Sequence, residues 1–430
     1  MQTLNLTPKM YDPRVNPPKI RLGRMFNLTP EIKVIVDKVN IQDSSFSKSE
    51  GIFKKYATSY DISDCVANLR LKTVWQGNCS TLSFDFVDSQ SFNLIHEGDR
   101  IRLYLDGIAH FCGIIFSRDF SPTKISITCF DYLRYFKSTL SFNKDQMMAD
   151  DGKTGLTIDG VFTRVCMDLF MKNQLQVIST SNIPVPAQRY DMKTGFYIMD
   201  FAVSHTLITS PDNNKEYFIY YHDPYFEDDD FSTESKLYKT SGSIKLDKIS
   251  NLTTDVVITD DSLLNNYEFK SSIDTNTFNF VVVYNDKKTY LSPKGKTLKN
   301  GKKTGTRKQY DFHSKSVGIY GYLPYYHKAP DNWTEAELQQ QATRLLNILD
   351  RPSQSISLEC YGILGMRAGY MVPVAIEKLG DTSVGIVETG ENGETVLLPG
   401  YRVVKECEMI IEHPLKMNIV LGAGQFTETS

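Results

Sequence analysis

The sequence predicts a mainly β (α+β) protein, and three observations support this prediction. Phenylalanine and tyrosine occur 24 times each, and both residue types favour strands. Asn, Asp, Ser and Thr, which favour turns, are abundant. Apolar side chains alternate with polar ones in several short runs, of which residues 101–105 are the clearest. Because successive side chains of a strand point to opposite faces, this alternation predicts strands with one buried face.

Residues 94–135 are predicted to form three strands joined by tight turns. The first strand ends at the dipeptide Asp106-Gly107, which predicts a turn because glycine accepts a positive φ. A Ser-Pro-Thr sequence at 121–123 separates the second strand from the third. Such a meander can close into a small barrel. The regularly spaced positions are Ile101, Leu103 and Leu105, then Phe111, Gly113 and Ile115, then Ile125, Ile127 and Cys129.

Three strands are predicted upstream of this meander, at residues 32–36, 66–74 and 82–86. The polar stretch that ends at Asp61 is predicted to be an insert between the first two. Together with the meander, these strands predict a first β-barrel over residues 31–141.

The order of motifs in this barrel resembles the first barrel of the tail hub family. Proteins of this family lie at the centre of contractile phage tails, phage-tail bacteriocins and type VI-like spikes, and they include the late-control protein D group and the hubs of defective prophages. The motifs are Glu97-Gly98-Asp99, a strand, Asp106-Gly107, Phe111-Cys-Gly-Ile-Ile115, a strand, and Asp131-Tyr-Leu-Arg-Tyr135. The resemblance extends over residues 31–420, and it implies two similar hub-type barrels in each subunit.

Residues 1–30 contain five prolines and five basic side chains, a composition typical of an extended arm. Two interpretations are open: a disordered tail, or an arm that docks along a neighbouring subunit.

Residues 142–235 are predicted to form a small α/β insert. Thr157 is the candidate N-cap of a first helix, residues 191–207 show the spacing of a second, and 217–221 read as a strand. The acidic run 227–230 lacks the ligand spacing and glycine of an EF loop, so a solvated loop is favoured over a calcium site.

Residues 236–430 are predicted to form the second β-barrel. Its amphipathic helix, 334–350, begins with a capping box at Thr334 and stops before Pro352. Its loop 285–308 carries nine basic residues. We interpret this loop as a flexible hairpin tip; the alternative is that the charges face a DNA channel or an acidic partner. The spacing and the missing Ser or Thr exclude a phosphate-binding P-loop. For the four tyrosines of residues 318–326, packing is favoured over stacking on sugars or bases.

Residues 369–374, Gly-Tyr-Met-Val-Pro-Val, place a glycine just before a hydrophobic alternation, as Gly98 does before the strand at 101–105. This similarity is consistent with a distant internal repeat. Five positions are predicted to serve turns or close packing, and Val at Gly107 or Gly369 is predicted to abolish assembly through misfolding. They are Gly98, Asp106, Gly107, Gly113 and Gly369.

No catalytic constellation is apparent, so the sequence predicts no enzyme, no cofactor, and no catalytic, cofactor-binding or metal-binding residues. HExxH, GxSxG and a strand-linked GxGxxG do not occur, and no CxxC appears among the seven cysteines. We expect no disulfide framework and no membrane span. The histidines are isolated from one another: His96, His110, His205, His222, His313, His327 and His413.

The resemblance implies a homotrimeric baseplate hub, whose ring joins a sixfold tail tube to a threefold central spike. Its implied partners are the spike protein, the tube protein, and baseplate wedge or tape-measure proteins. The chain would be made in the bacterial host cytoplasm and assembled into a phage tail or tail-like particle. Two alternatives are a cell-wall-degrading or carbohydrate-binding tail protein and an OB-like nucleic-acid binder. The net charge of −3 argues against specific nucleic-acid binding.

Overall fold

The computed structural model confirms the mainly β architecture: its described residues form 24 strands and four α-helices. The acidic run 227–230, nearly all of the basic loop and most of the N-terminal arm lie outside the described residues. None of the described helices is long and apolar enough to cross a membrane. The described residues are 22, 29–47, 51–75, 77–87, 95–209, 217–224, 242–272, 277–285, 308–329, 335–350, 353–379, 382–384, 386–389, 395–398 and 400–422.

The first half of the large sheet consists of seven strands: β1 (Ile32–Ser47), β2 (Gly51–Asp61), β3 (Val66–Val74), β4 (Thr81–Phe86), β5 (Arg100–Leu105), β6 (Ile108–Phe120) and β7 (Ile125–Phe130). All neighbours are antiparallel, in the order β2-β1-β5-β6-β7-β4-β3. The turn between β5 and β6 is as predicted, with φ of 48° at Asp106 and 75° at Gly107.

The prediction of a polar insert before Asp61 is wrong, because this stretch forms the end of β1 and all of β2. The two strands pair as a hairpin in which Ser47 lies opposite Gly51. Ladder hydrogen bonds join backbone groups, so a hairpin forms without the apolar alternation that we used to predict strands.

The second half of the large sheet follows much later in the chain. Its strands are β13 (Ile258–Thr259), β14 (Leu263–Ser272), β18 (Ser353–Tyr361), β19 (Met371–Leu379), β20 (Thr382–Val384), β23 (Gly400–Ile411) and β24 (Lys416–Gly422). β23 pairs with β3 from Glu406 opposite Val74 to Ile411 opposite Leu69, so the two halves form one 14-stranded sheet. The closure of each half into a barrel and the domain boundaries stay predictions.

The segment between the halves contains two small sheets and two helices. Its elements are β8 (Thr139–Phe142), α1 (Ile158–Asp168), β9 (Leu175–Val177), β10 (Tyr190–Thr194), α2 (Gly195–Thr209), β11 (Phe218–Asp223) and β12 (Ser243–Lys248). The helix predicted from residue 191 begins at Gly195, because β10 pairs with β8. Thr157 occupies the N-cap position of α1 as predicted, although its side chain makes no capping hydrogen bond.

A further unit packs a helix on a three-stranded sheet: β15 (Phe280–Asn285), β16 (Lys308–His313), α3 (Val317–Tyr320), β17 (Pro324–Lys328) and α4 (Glu335–Leu349). β21 (Ile386–Thr389) and β22 (Thr395–Leu398) pair with each other in a separate two-stranded sheet. The predicted amphipathic helix is therefore present, although Thr334 lies outside the described residues. The packing predicted for the tyrosines of residues 318–326 is confirmed for Tyr325, whose ring centroid lies 5.2 Å from that of Phe278. Tyr322 packs on Phe280 at 4.8 Å but is 56% exposed, and Tyr326 is 57% exposed.

Two hydrophobic cores hold these parts together. The first lies within the large sheet and combines residues of β1 and β3–β7 with residues of β18, β19, β23 and β24. Leu22, from the predicted arm, is buried in it and donates its N–H to Asp255 at 2.9 Å. The second core combines α1, α2, β11 and β12 with β15 and α4. The insert therefore packs as one body with the β15–α4 unit.

The prediction that β5 has only one buried face is wrong, because all six of its residues are buried. The second face carries Arg100 and Arg102, and both guanidinium groups donate to the buried carboxylate of Asp37. Their Nε atoms lie 2.6 and 2.8 Å from Oδ2 of Asp37, and Nη2 of Arg102 lies 2.7 Å from Oδ1. Burial by itself raises the pKa of Asp37, but the two charges and their hydrogen bonds outweigh it and the pKa is lowered.

We predict that Asp37→Asn destabilises the chain strongly. The substitution removes the one carboxylate that both guanidinium groups share, and breaking a buried ion pair on one side costs about 3–5 kcal/mol. Urea unfolding followed by circular dichroism measures the change. Asp119→Asn, at an exposed position of β6, is the matched control and should change stability by less than about 0.5 kcal/mol. A loss at Asp37 no larger than that at Asp119 would contradict the assignment.

Candidate functional site at the junction of the sheets and the insert

The loop of residues 362–370 connects β18 to β19, and we call it the junction loop. Its backbone contacts three strands of the large sheet. The N–H of Gly365 donates to Nε2 of His110 on β6 at 2.8 Å, and the N–H of Ala368 donates to the Thr73 hydroxyl on β3 at 2.8 Å. The N–H of Gly369 donates to the carbonyl of Val404 on β23 at 2.7 Å. The loop therefore ties both halves of the sheet together.

Arg367 extends this junction to the insert. Its side chain is largely buried, and Nη2 donates to the carbonyl of His222 on β11 at 2.6 Å. Nη1 lies 3.5 Å from the carboxylate of Asp223, which also accepts from Lys245 at 2.6 Å. Burial alone lowers the pKa of Arg367, but nearby Tyr370 and Asp223 more than compensate and the pKa is raised. The cation is thus retained where the insert meets the large sheet.

Asp131 begins the Asp-Tyr-Leu-Arg-Tyr motif and acts as a helix cap. Its carboxylate accepts from the N–H of Leu133 at 3.1 Å and from the N–H of Ser80 at 3.0 Å. Burial raises its pKa, although His222 and the Ser80 hydrogen bond oppose this shift. The cap starts the 3-10 helix Tyr132–Lys137, which packs Tyr132 against the ring of His222 at 5.3 Å. The motif therefore joins β7 to the insert.

His110 is a buried neutral histidine in this junction. Because its Nε2 accepts the Gly365 N–H, its Nδ1 carries the proton and donates to the carbonyl of Ile108 at 2.8 Å. Burial lowers the pKa of His110 to about 4. A proton on Nε2 would remove the acceptor that holds Gly365, so the tie depends on the neutral ring.

The turn and close-packing geometry predicted for the glycines is confirmed, whereas the loss of assembly predicted for Val at Gly107 or Gly369 stays a prediction. Gly98 and Gly107 lie in turns with positive φ, and a Cβ at Gly113 would lie 2.4 Å from the carbonyl oxygen of Phe130. At Gly369, φ is +91° and a Cβ would lie 2.4 Å from Cδ1 of Ile219, on β11 of the insert. Gly369 therefore permits both the backbone conformation of the junction loop and its close approach to the insert.

The polar side chains of this site are paired within the chain. Among the described residues, no group of three or more His, Cys, Asp or Glu side chains is arranged to hold a metal ion. The buried polar groups at the junction are matched to each other: Arg367 to Asp223 and a carbonyl, His110 to two backbone groups, Asp131 to two N–H groups. Such an arrangement holds three parts of a chain in one orientation.

Comparison with known proteins places this fold among phage tail proteins. The YQBQ-like family model matches residues 69–391. A tail protein from Neisseria meningitidis MC58 is 10% identical, with a TM-score of 0.53 over 92% of this chain and 96% of that one. The prophage MuSo2 43 kDa tail protein from Shewanella oneidensis is 12% identical, with a TM-score of 0.50 over 90% and 98%. No curated protein sequence matches. The resemblance to tail proteins is confirmed at the level of the fold.

We predict that His110 makes the chain sensitive to acid. Its pKa is about 4 in the folded chain and about 6.5 when unfolded, so the unfolded state binds the extra proton between these values. The contribution of neutral His110 to the free energy of unfolding is complete above about pH 6.5. It is lost as the pH falls to about 4, and the loss amounts to about 3 kcal/mol in total. Urea unfolding from pH 7 to pH 4 measures it. His110→Gln does not titrate, so its stability should fall less steeply; parallel curves would contradict the prediction.

We predict that Gly369→Ala destabilises the chain by about 2–4 kcal/mol. The new Cβ would strain the left-handed backbone at this position and would also overlap the side chain of Ile219. Ile219→Val removes the overlapping Cδ1 atom and should cost only about 1 kcal/mol alone. Thermal or urea unfolding of the two single variants and the double variant forms a mutant cycle. The double variant should be about 1 kcal/mol more stable than the sum of the single effects predicts. Simple additivity would show that the Gly369–Ile219 contact does not limit the substitution.

Proposed function

This chain belongs to the YQBQ-like family, and we propose that it is a structural component of a phage tail or tail-like particle. The observation that supports this proposal is the extent of the shared fold, which spans at least nine-tenths of this chain and of each of the two tail proteins. A shared fold does not by itself assign a function. Here, however, the matched proteins are whole tail proteins rather than a domain that recurs in unrelated chains.

We propose more specifically that the chain is the baseplate hub of a contractile tail or injection particle, in the form of a homotrimeric ring. Two similar halves in each of three subunits would present six similar units to a sixfold tail tube and a threefold face to the central spike. Baseplate wedge or tape-measure proteins would be further partners. The role is structural rather than enzymatic, and the chain would be made in the host cytoplasm before assembly.

The open edges of the large sheet support a ring. The main run of the sheet ends at β2 on one side and at β14 on the other, and β13, β19 and β20 branch from it at β23. Within the described part of the chain, no strand pairs with the outer edge of β2 or of β14. An edge strand presents unpaired backbone groups that accept another strand. Pairing β2 of one copy with β14 of the next would be a head-to-tail contact, which closes into a ring when the rotation permits.

We predict that the purified chain forms hollow rings at high concentration. Negative-stain electron microscopy should show end-on views with threefold symmetry and six similar lobes, and sedimentation should give the mass of a trimer. A chain that remains monomeric at every concentration, alone and with a co-expressed spike protein, would contradict the ring.

A matched pair of variants tests strand pairing at the β14 edge. Successive N–H groups of a strand point to opposite sides, so only one of Lys270→Pro and Ser271→Pro removes an N–H that faces away from β18. That variant should remain folded but fail to form rings. Two folded variants that both assemble normally would contradict edge pairing while leaving the tail role intact.

A further inference from the structure

A cluster of aromatic rings and cations lies on the outside of β6, β7 and the 3-10 helix that follows them. We call it the aromatic–cation surface, and it consists of Phe116, Phe130, Arg134, Tyr135 and Lys137. The ring centroids of Phe116 and Phe130 are 5.4 Å apart, and those of Phe116 and Tyr135 are 6.3 Å apart. The guanidinium carbon of Arg134 lies 5.5 Å from the Phe116 centroid and 5.7 Å from that of Phe130. The ammonium group of Lys137 lies 5.9 Å from the Phe130 centroid.

A β-bulge presents this surface to solvent. The register of β6 and β7 shifts between Ile115 and Ser117, which leaves Phe116 as the extra residue. Bulges re-aim side chains, and Phe116 is 37% exposed although the neighbouring Ile115 is 1% exposed. The bulge therefore places an aromatic ring outside the core, where Arg134 covers part of it.

The cations of this surface differ from others on the same sheet. Arg118 pairs with Glu97 at 2.7 Å, Lys124 with Asp85 at 2.7 Å, and Lys72 with Glu406 at 2.5 Å. Within the described residues, by contrast, no carboxylate lies within ion-pair distance of Arg134 or Lys137, and both contact rings instead.

The acid next to these cations in sequence is turned inward. Asp131 is 2% exposed and accepts from the N–H groups of Ser80 and Leu133, so it is held at the helix cap. The surface therefore carries two positive charges that the described part of the chain does not neutralise, next to an exposed aromatic ring.

We propose that the aromatic–cation surface binds an acidic protein segment that carries an aromatic or other apolar side chain beside its carboxylates. A guanidinium that contacts ring faces still has N–H groups along its own edge, and these can donate to a carboxylate in a bidentate manner. Lys137 adds a second site for a carboxylate, and the exposed part of Phe116 contacts the apolar side chain. Contact with two rings also restrains Arg134 before binding, which lowers the entropic cost of binding.

A protein segment fits this surface better than a nucleic acid does. Nucleobases bind by stacking on open aromatic faces, and Arg134 already occupies the faces of Phe116 and Phe130. The chain is also acidic as a whole, with a net charge of −3, which disfavours the long-range attraction of a polyanion. The local charge favours short acidic segments, such as the Phe-Glu-Asp-Asp-Asp-Phe composition of residues 226–231.

Fluorescence anisotropy with the full chain tests this proposal independently of any ring. The probe is a labelled Phe-Glu-Asp-Asp-Asp-Phe peptide, and a Phe-Gln-Asn-Asn-Asn-Phe peptide is its neutral counterpart. We expect saturable binding of the acidic peptide, at least about tenfold weaker binding of the neutral one, and weakening by added salt. Absence of binding, or equal binding of both peptides, would overturn the proposal.

Variants localise the contact. Arg134→Gln should weaken binding about tenfold and Lys137→Gln about threefold. Arg134→Lys, which keeps the charge but loses the fork, should fall between wild type and Arg134→Gln. Arg189→Gln removes a cation that already pairs with Asp191 at 2.8 Å, and it should bind as wild type does.

Circular dichroism establishes that each variant is folded before binding is measured. Unchanged binding by folded Arg134→Gln would overturn the assignment of the surface. Tighter Arg134-dependent binding of a single-stranded or duplex DNA oligonucleotide than of the acidic peptide would overturn the choice of partner.

Discussion

The pairing of β3 with β23 is the constraint on which the rest of this structure depends. It joins strands from the two ends of the chain, and the Thr73 hydroxyl donates to the carbonyl of Cys407 across 334 positions of sequence. Closing so long a loop costs conformational entropy, although this cost grows slowly with length. Burial offsets it, because the apolar residues of both sheet halves contribute to one core. Without this pairing there would be two separate sheets, and the junction loop would lack two of its three strand contacts.

Polar groups are buried where parts of the chain distant in sequence meet. Asp37 holds Arg100 and Arg102 between β1 and β5, and Arg367 reaches from the junction loop to the insert. A buried ion pair adds little net stability compared with apolar packing, but a structure that misplaces one partner carries a large penalty. These groups therefore act mainly against wrong arrangements of the sheets and the insert. That property suits a chain whose proposed role is to hold neighbours in a set geometry.

Local patterns in the sequence predicted local structure well and distant contacts poorly. Alternation located β4 to β7, and the glycine pattern located the turns and the close approach at Gly369, because both signals lie within a few residues. The contacts of His110 with Gly365 and of Thr73 with Ala368 span 255 and 295 positions, and no local pattern encodes them. The polar hairpin of β1 and β2 was missed because backbone pairing leaves no apolar signature. The burial of Arg100 and Arg102 was missed because their partner Asp37 belongs to another strand.

The difference between backbone contacts and side-chain contacts also bears on how this fold could assemble. Strand pairing at the edges of β2 and β14 would use backbone groups, which every sequence possesses, so it could persist in proteins as different as the 10–12% identical tail proteins compared with this chain. Backbone pairing alone cannot distinguish one partner from another, since the groups it joins are the same in all chains. Selectivity must then come from side chains outside the sheet edges. The aromatic–cation surface is suited to that role, because it lies outside the core and carries charge that the described part of the chain does not neutralise.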